Sequence, residues 1–243
     1  MKKIVTILVL IVFLIAPVVH SQELDKTKES KNEIGLEISD LIDGSYQLKY
    51  ERLLGEHISI SLGFAYKGDN GLIKLSGLDT DQIKTNDIAY SGLKIIPEFR
   101  YYLNNNGHTG MDGFYFGAYL KYSNYQSDLN GTYINDALES FDIEFDADIK
   151  VTSIGLMVGY KLPISKRFSI DFLIAGPGSG SYNFSFVNKE DLPDEFYENF
   201  NNALEQYSVF DLLDGDFSFK TTDTDSKFNM FSFRYGISLG YSF

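Results

Sequence analysis

The sequence contains no cysteine, no tryptophan and only three histidines among its 243 residues. The absence of cysteine excludes disulfide bonds, thiolate metal sites, cysteine nucleophiles and a lipid anchor attached to cysteine. Basic residues are also scarce, because 21 Lys and Arg stand against 34 Asp and Glu, and the net charge is −13. Since phosphates are repelled by such a surface, we expect no nucleic acid as a partner.

Long hydrophobic runs are missing except at the N terminus. Lys2 and Lys3 precede an apolar run from Ile4 to Ala16, and Pro17 follows it. The run is shorter than the ~20 residues that a membrane-spanning helix needs, and its layout is typical of a secretory signal peptide. We therefore predict a signal peptide over residues 1–21, a periplasmic segment over 22–31 and a membrane domain over 32–243. The predicted localisation is the outer membrane of a Gram-negative bacterium.

Aromatic residues, by contrast, are abundant, with 20 Phe and 17 Tyr. Many of them stand in stretches where apolar and polar residues alternate with period two, which is the pattern of β-strands. The alternation predicts eight strands, over residues 32–41, 45–52, 56–67, 88–103, 113–124, 148–162, 167–175 and 227–243.

The two faces of these predicted strands differ in kind. One face carries large apolar side chains and no charge, as at Ile58, Leu62 and Phe64, whereas the other is small or ionic. Eight strands enclose little space, so a soluble barrel with the large face inside would be overfilled. With that face outside, the barrel is stable in lipid. We therefore predict an all-β fold, an eight-stranded antiparallel up-and-down transmembrane β-barrel.

Loop lengths predict which end of this barrel faces the outside. Short connections at 51–57, 104–112 and 163–167 alternate with long ones at 68–87, 126–147 and 176–226, as periplasmic turns alternate with long extracellular loops. The short first hairpin at 43–44 is the exception. Ile143 and Phe145 have the parity of interior residues, so their strand is expected to continue above the bilayer. Phe196, Phe200 and Leu204 are at helical spacing and favour a short helix within 191–207.

Two sequence stretches resemble a known group of proteins. The run 97–103 (PEFRYYL), followed by 113–119 (GFYFGAY), is similar to bacterial outer-membrane barrels of a family of unknown function, and the fold implied is a small OmpA/OmpX-like eight-stranded barrel. The ending 240–243 (GYSF) resembles the terminal aromatic signal of outer-membrane barrels. The resemblance implies architecture and location, and it carries over no binding or catalytic residue.

The interior face of the predicted barrel carries five acids and six bases. We expect them to form a lumen ion-pair network that plugs the barrel, because unpaired buried charges are costly. An ion-selective pore or proton path is the alternative, although open aqueous channels are typical of larger barrels. The predicted network residues are Glu33, Glu37, Lys49, Glu51, Lys94, Glu98, Arg100, Lys121, Lys161, Asp171 and Arg234.

Other chemistry has little support in the sequence. Asp211, Asp214 and Asp216 offer oxygen ligands suited to calcium, but their spacing is not that of an EF-hand loop, and a solvated acidic surface is the alternative. His20 leaves with the signal peptide, and His57 and His108 lie on different predicted hairpins, so no pair suggests a catalytic base. We expect no catalytic residues and no cofactor.

The predicted function is therefore non-enzymatic. We expect a monomeric scaffold in outer-membrane lipid, whose acidic, aromatic extracellular loops meet an unknown extracellular partner. A small channel or lipid-handling barrel is the main alternative, and an outer-membrane enzyme is the third. The aromatic residues expected in those loops are Tyr133, Phe141, Phe196, Tyr197, Phe200, Tyr207 and Phe210.

Overall fold

The computed structural model describes residues 30–69, 76–87, 89–103, 110–205 and 224–243. The predicted signal peptide and most of the predicted periplasmic segment lie outside these ranges. Among the described residues, none of the helices combines the length and the apolar character that crossing a membrane requires.

The described chain is built almost entirely of antiparallel strands. They are β1 (Asn32–Glu37), β2 (Ser45–Leu53), β3 (Ile58–Lys67), β4 (Ile83–Thr85), β5 (Ala89–Tyr102), β6 (Gly113–Ile134), β7 (Ser140–Pro163), β8 (Phe168–Asn188) and β9 (Thr224–Ser242). A 3-10 helix (Ser39–Asp43) joins β1 to β2, and one α-helix, α1 (Asp194–Glu205), follows β8.

The strands form one sheet that closes into a ring. The hydrogen-bonded order is β6, β5, β3, β2, β1, β9, β8 and β7, and β7 pairs again with β6, while β4 pairs only with the far end of β6. Leu36 pairs with both Leu48 and Leu239. From Leu48 the row of paired residues can be followed through β3, β5, β6, β7 and β8. It reaches β9 at Asn229, not at Leu239 from which it started. The strands are therefore staggered, as closure of a sheet requires.

Two prolines lie within strands of the ring without disrupting it. Pro97 pairs with Leu62 of β3 but is skipped in the register between β5 and β6. Pro177 likewise pairs with Phe233 of β9 but is skipped between β7 and β8. Because proline has no N–H group, each stands where one of its two ladders is already interrupted.

The predicted strand bounds need correction at several places, and β6 continues to Ile134 and β7 begins at Ser140, both inside the predicted loop 126–147. β1 ends at Glu37, not at residue 41, because the chain turns into the 3-10 helix and Gly44 takes a left-handed φ of 83° that glycine adopts without strain. β8 continues past residue 175 to Asn188 because its ladder with β9 resumes after a bulge. The short β4 was not predicted, since three residues carry too little alternation to detect.

β6, β7 and β8 extend beyond the ring as a taller sheet, and α1 packs against it. Ile143 and Phe145 of β7 point into this packing, which confirms the predicted continuation of the strand. The ring of Phe196 lies 5.2 Å from that of Tyr133 and 6.0 Å from that of Phe145. The predicted helix is thus confirmed, and its apolar side is buried as a second layer on the sheet.

This packing corrects the expected presentation of aromatic residues to a partner. Tyr133, Phe196, Tyr197 and Phe200 are buried in the cluster, and Phe141 packs against it. Each of the two apolar surfaces, on the sheet and on the helix, removes the other from water, which is more favourable than leaving both exposed. Tyr207 and Phe210 lie outside the described residues.

Candidate functional site

The interior of the ring is mostly small or ionic, with a few large side chains such as Tyr115 and Leu173, whereas its outer face is large and apolar. In β3, Ser59 and Ser61 are buried while Ile60 and Leu62 are exposed, and the same alternation runs through the ring strands. Lys161 has 0% of its surface accessible, compared with 70% for Leu156 on the same strand. The predicted assignment of the two faces is therefore correct.

Arg100 lies at the centre of the charged side chains inside the ring. Its Nη1 is 2.6 Å from Asp171 and 3.4 Å from Glu51, and its Nη2 is 2.6 Å from Glu98. The guanidinium also covers the ring of Tyr115 at 4.5 Å. One planar cation thus holds carboxylates from three strands, a geometry that a lysine could not reproduce.

Three further cations complete the arrangement. Lys161 Nζ lies 2.6 Å from Glu51 and 2.8 Å from Glu33. Lys49 Nζ lies 2.6 Å from Asp171, and Arg234 Nη2 lies 2.9 Å from Glu98. Together with Arg100 these residues form one connected set of four acids and four bases, which we call the charge network: Glu33, Lys49, Glu51, Glu98, Arg100, Lys161, Asp171 and Arg234.

Neutral donors satisfy the remaining carboxylate oxygens of the charge network. Tyr102 donates to Glu51 at 2.6 Å and Tyr115 donates to Asp171 at 2.9 Å. Ser59, Ser61 and Ser169 donate to Glu51, Glu98 and Glu33. A buried ionic cluster is tolerated only when such hydrogen bonds accompany the pairing.

The tyrosine rings fit because glycines face them across the β6–β7 ladder. Tyr115 pairs with Gly159 and Tyr119 pairs with Gly155. A Cβ atom at Gly159 would come 2.2 Å from Tyr115, and one at Gly155 would come 2.7 Å from Tyr119. Both glycines therefore provide the space in which the rings fill the interior.

A family model described as "Protein of unknown function (DUF3575)" matches residues 38–191, which is more than half of the chain. The chain belongs to the DUF3575 family. No curated protein and no solved structure matches it. The DUF3575 match includes most of the charge network, from Lys49 to Asp171, whereas Glu33 and Arg234 lie outside it.

Three of the predicted network residues of this DUF3575 chain stand apart from the charge network. Lys94 lies 2.9 Å from Asp40 in the 3-10 helix, an acid that the predicted longer β1 would have placed outside. Glu37 accepts a hydrogen bond of 2.7 Å from Ser39, and no described lysine or arginine forms an ion pair with it. Lys121 has no ion-pair partner in the part of the chain that the structure describes. The sequence identified these side chains as interior but not their partners.

These three side chains line a cavity of about 260 Å³ next to the charge network. Its other lining residues include Arg234 from the interior and Phe233 and Tyr235 from the outer apolar face. The cavity therefore lies where the interior meets the outer surface of the ring.

The structure brings together no metal site within the described residues. No group of three or more His, Cys, Asp or Glu side chains there could hold a metal ion. The calcium candidates Asp211, Asp214 and Asp216 lie outside the described residues, so that hypothesis stays a prediction. His57 lies in the turn after β2, its ring 5.6 Å from that of Tyr101, and His108 is outside the described residues.

We predict that Lys161→Met destabilises the fold by about 3–5 kcal/mol, because Glu33 and Glu51 then stay buried without the cation that both of them contact. The free energy of unfolding from urea titration measures this loss. Lys166→Met, in the exposed turn after β7, is the matched control and should change stability by less than about 0.5 kcal/mol.

A double-mutant cycle tests whether pairing is the cause. Glu33 has Lys161 as its one cation among the described residues, so Glu33→Gln combined with Lys161→Met should cost clearly less than the sum of the two single changes. Additive costs would contradict the pairing.

Proposed function

We propose that the protein is an integral outer-membrane β-barrel of up-and-down topology, with its outer apolar face in lipid. The observation that carries this proposal is the uncharged apolar surface that surrounds a closed ring with an ionic interior. Side chains such as Leu48, Phe64, Phe116 and Leu156 are each more than half exposed. Apolar patches of this extent are unfavourable in water and mark a membrane or protein contact surface.

Strand length supports the same placement. β2 has 9 residues and β3 has 10, and a tilted strand needs about 9–11 residues to cross the bilayer. The short turn at 54–57 joins β2 to β3 at one end of the ring. The extended sheet of β6, β7 and β8 with α1 then stands above the membrane, at the end of the ring opposite the turn at 54–57.

The proposed role is that of a non-enzymatic, monomeric scaffold for an external partner. The extended sheet exposes acids along its turn and edges, including Asp136, Glu139 and Asp142. Lys189 is an exception to this charge: its ammonium lies 2.6 Å from Asp146 and 3.0 Å from Glu144, whose hydrogen bonds raise the pKa of Lys189. The buried aromatic cluster holds this surface in shape, so complementary positive charge is the feature expected of a partner.

The charge network argues against the channel alternative. Long side chains from several strands meet at 2.6–2.9 Å across the interior, as in the pairs of Arg100 with Asp171 and Arg234 with Glu98. Because four acids neutralise four bases, hydrated ions would have to displace paired groups in order to pass.

Leu156→Arg tests the membrane placement. Leu156 is 70% exposed, so in water the change should alter stability by about 0.5 kcal/mol or less, whereas near the middle of a bilayer it should cost about 2–4 kcal/mol. We expect the larger loss when unfolding is measured in lipid vesicles. Leu138→Arg, at an 85% exposed position in the turn between β6 and β7, is the control and should be nearly neutral. Equal stability of both variants would refute insertion in lipid.

Orientation can be tested because the chain has no cysteine of its own. A thiol introduced by Leu138→Cys should react with a membrane-impermeant maleimide on intact Gram-negative cells. Gly55→Cys, in the turn between β2 and β3, should react only after the outer membrane is permeabilised, and its side chain has open space. The reverse labelling pattern would show that the extended sheet faces the periplasm.

Conductance separates the scaffold from the channel alternative. We expect purified protein in planar bilayers to show no stable unitary conductance, because the charge network closes the interior. Glu98→Ala combined with Arg100→Ala removes the central pair and is expected to open a leak. Steady unitary currents from the unmodified protein would favour the channel function instead.

A further inference from the structure

The ladder between β1 and β9 stops beside the cavity, and we call this break in strand pairing, at the level of the 3-10 helix, the gap. β1 pairs with β9 only as far as Glu37 and Ser238. Beyond this pair, Ile38 donates to the carbonyl of Ile237, and the Ile237 N–H donates to Ser39 Oγ. β9 nevertheless continues upward to Thr224 in its ladder with β8. The chain leaves the wall at this level because the 3-10 helix replaces the rest of the predicted β1.

The backbone of β9 faces this gap with polar groups. In an antiparallel strand, successive residues direct their N–H and C=O groups to opposite sides. Since Ile237 directs its groups toward β1, Tyr235 and Phe233 direct theirs to the same side, above the end of β1. Unpaired backbone groups are costly in a wall that contacts lipid, so a polar group in the gap would be favourable there.

The side chains that line the cavity leave one charge of each sign unmatched. Lys94 is paired with Asp40 at 2.9 Å and with Asp43, another lining residue, at 4.0 Å, and Arg234 is paired with Glu98. Lys121 has no ion-pair partner among the described residues, and Glu37 receives only the hydroxyl of Ser39. Both line the same cavity. An occupant with one negative and one positive group would match this arrangement.

Two aromatic residues of the outer face lie at the cavity. Phe233 and Tyr235 line it, yet they belong to the outer apolar face and are 51% and 73% exposed. The cavity volume of about 260 Å³ is just below the range of about 300–1,000 Å³ that is usual for small-molecule sites. It has room for a headgroup, while an attached apolar chain would lie outside, along the aromatic side chains.

We propose that this cavity binds the headgroup of a zwitterionic phospholipid that enters through the gap between β1 and β9. The phosphate contacts Lys121, the primary ammonium contacts Glu37, and the acyl chains lie against Phe233 and Tyr235. No bond is made or broken in this binding. The inference rests on the proposed membrane placement, since the acyl chains need a lipid environment.

Lipid binding to the full-length protein in a non-ionic detergent tests the proposal. The probes are dihexanoyl phosphatidylethanolamine, which carries both charges, and dihexanoyl phosphatidylglycerol, which lacks the ammonium. Native mass spectrometry measures the affinity of each. We expect the zwitterionic lipid to bind about tenfold more tightly, as the loss of one charge-assisted hydrogen bond would predict.

Variants locate the binding to this cavity. Lys121→Met should weaken binding of the zwitterionic lipid by about tenfold and Glu37→Gln should remove the preference over the glycerol lipid. Lys150→Met, on the exposed outer side of β7 above this level, is the matched control and should leave affinity unchanged. Because Lys121 has no ion-pair partner in the described chain, its variant should still fold, which β-rich circular dichroism in detergent checks.

The outcomes separate the two proposals. Equal affinity for both lipids overturns the headgroup assignment, and unchanged affinity of folded Lys121→Met overturns the site. Either result leaves the membrane placement standing, provided that Leu156→Arg shows its large loss in vesicles. If Leu156→Arg and Leu138→Arg are both neutral, the membrane placement itself fails.

Discussion

The limited space inside a closed ring of eight strands is the constraint on which the rest of the structure depends. Large side chains cannot occupy every inward position of so narrow a ring. Small and ionic residues therefore take most inward positions, with Tyr102 and Tyr115 between them, and most Phe, Leu and Ile side chains point outward. The ions that fill the interior must then neutralise one another, which is why Arg100 meets carboxylates from three strands.

Above the ring the same strands follow the opposite rule. β6 and β7 continue beyond the ring, and there the buried residues include Tyr133, Ile143 and Phe145. No closed interior limits their size at this level, and α1 covers them with Phe196. One pair of strands thus passes from an ionic interior to an apolar one. The change coincides with the end of the apolar band on the outer surface.

The asymmetry of the wall is a consequence of the early end of β1. Its chain leaves the sheet at Glu37, and Asp40 in the 3-10 helix reaches Lys94 inside the ring. A longer β1 would have closed the wall and left Asp40 on the outer face. Because of this turn, β1 and β9 form fewer ladder hydrogen bonds than a longer β1 would allow. In return the Lys94–Asp40 ion pair forms, and the cavity lies beside it. This region differs from the rest of the ring in that Lys121 lacks an ion-pair partner among the described residues.

The alternation of residue types by itself determined the all-β class, the face on which each strand residue lies and the interior position of all eleven predicted charges. These are local properties, because the side-chain direction in a strand has a period of two. Only the tertiary structure decided which charges pair. Stagger between strands brings Lys49 to Asp171 and leaves Lys121 apart, and sequence spacing does not specify that stagger. The burial of Phe196 was likewise decided by the tertiary structure, since an apolar helix face can meet a partner protein or its own sheet.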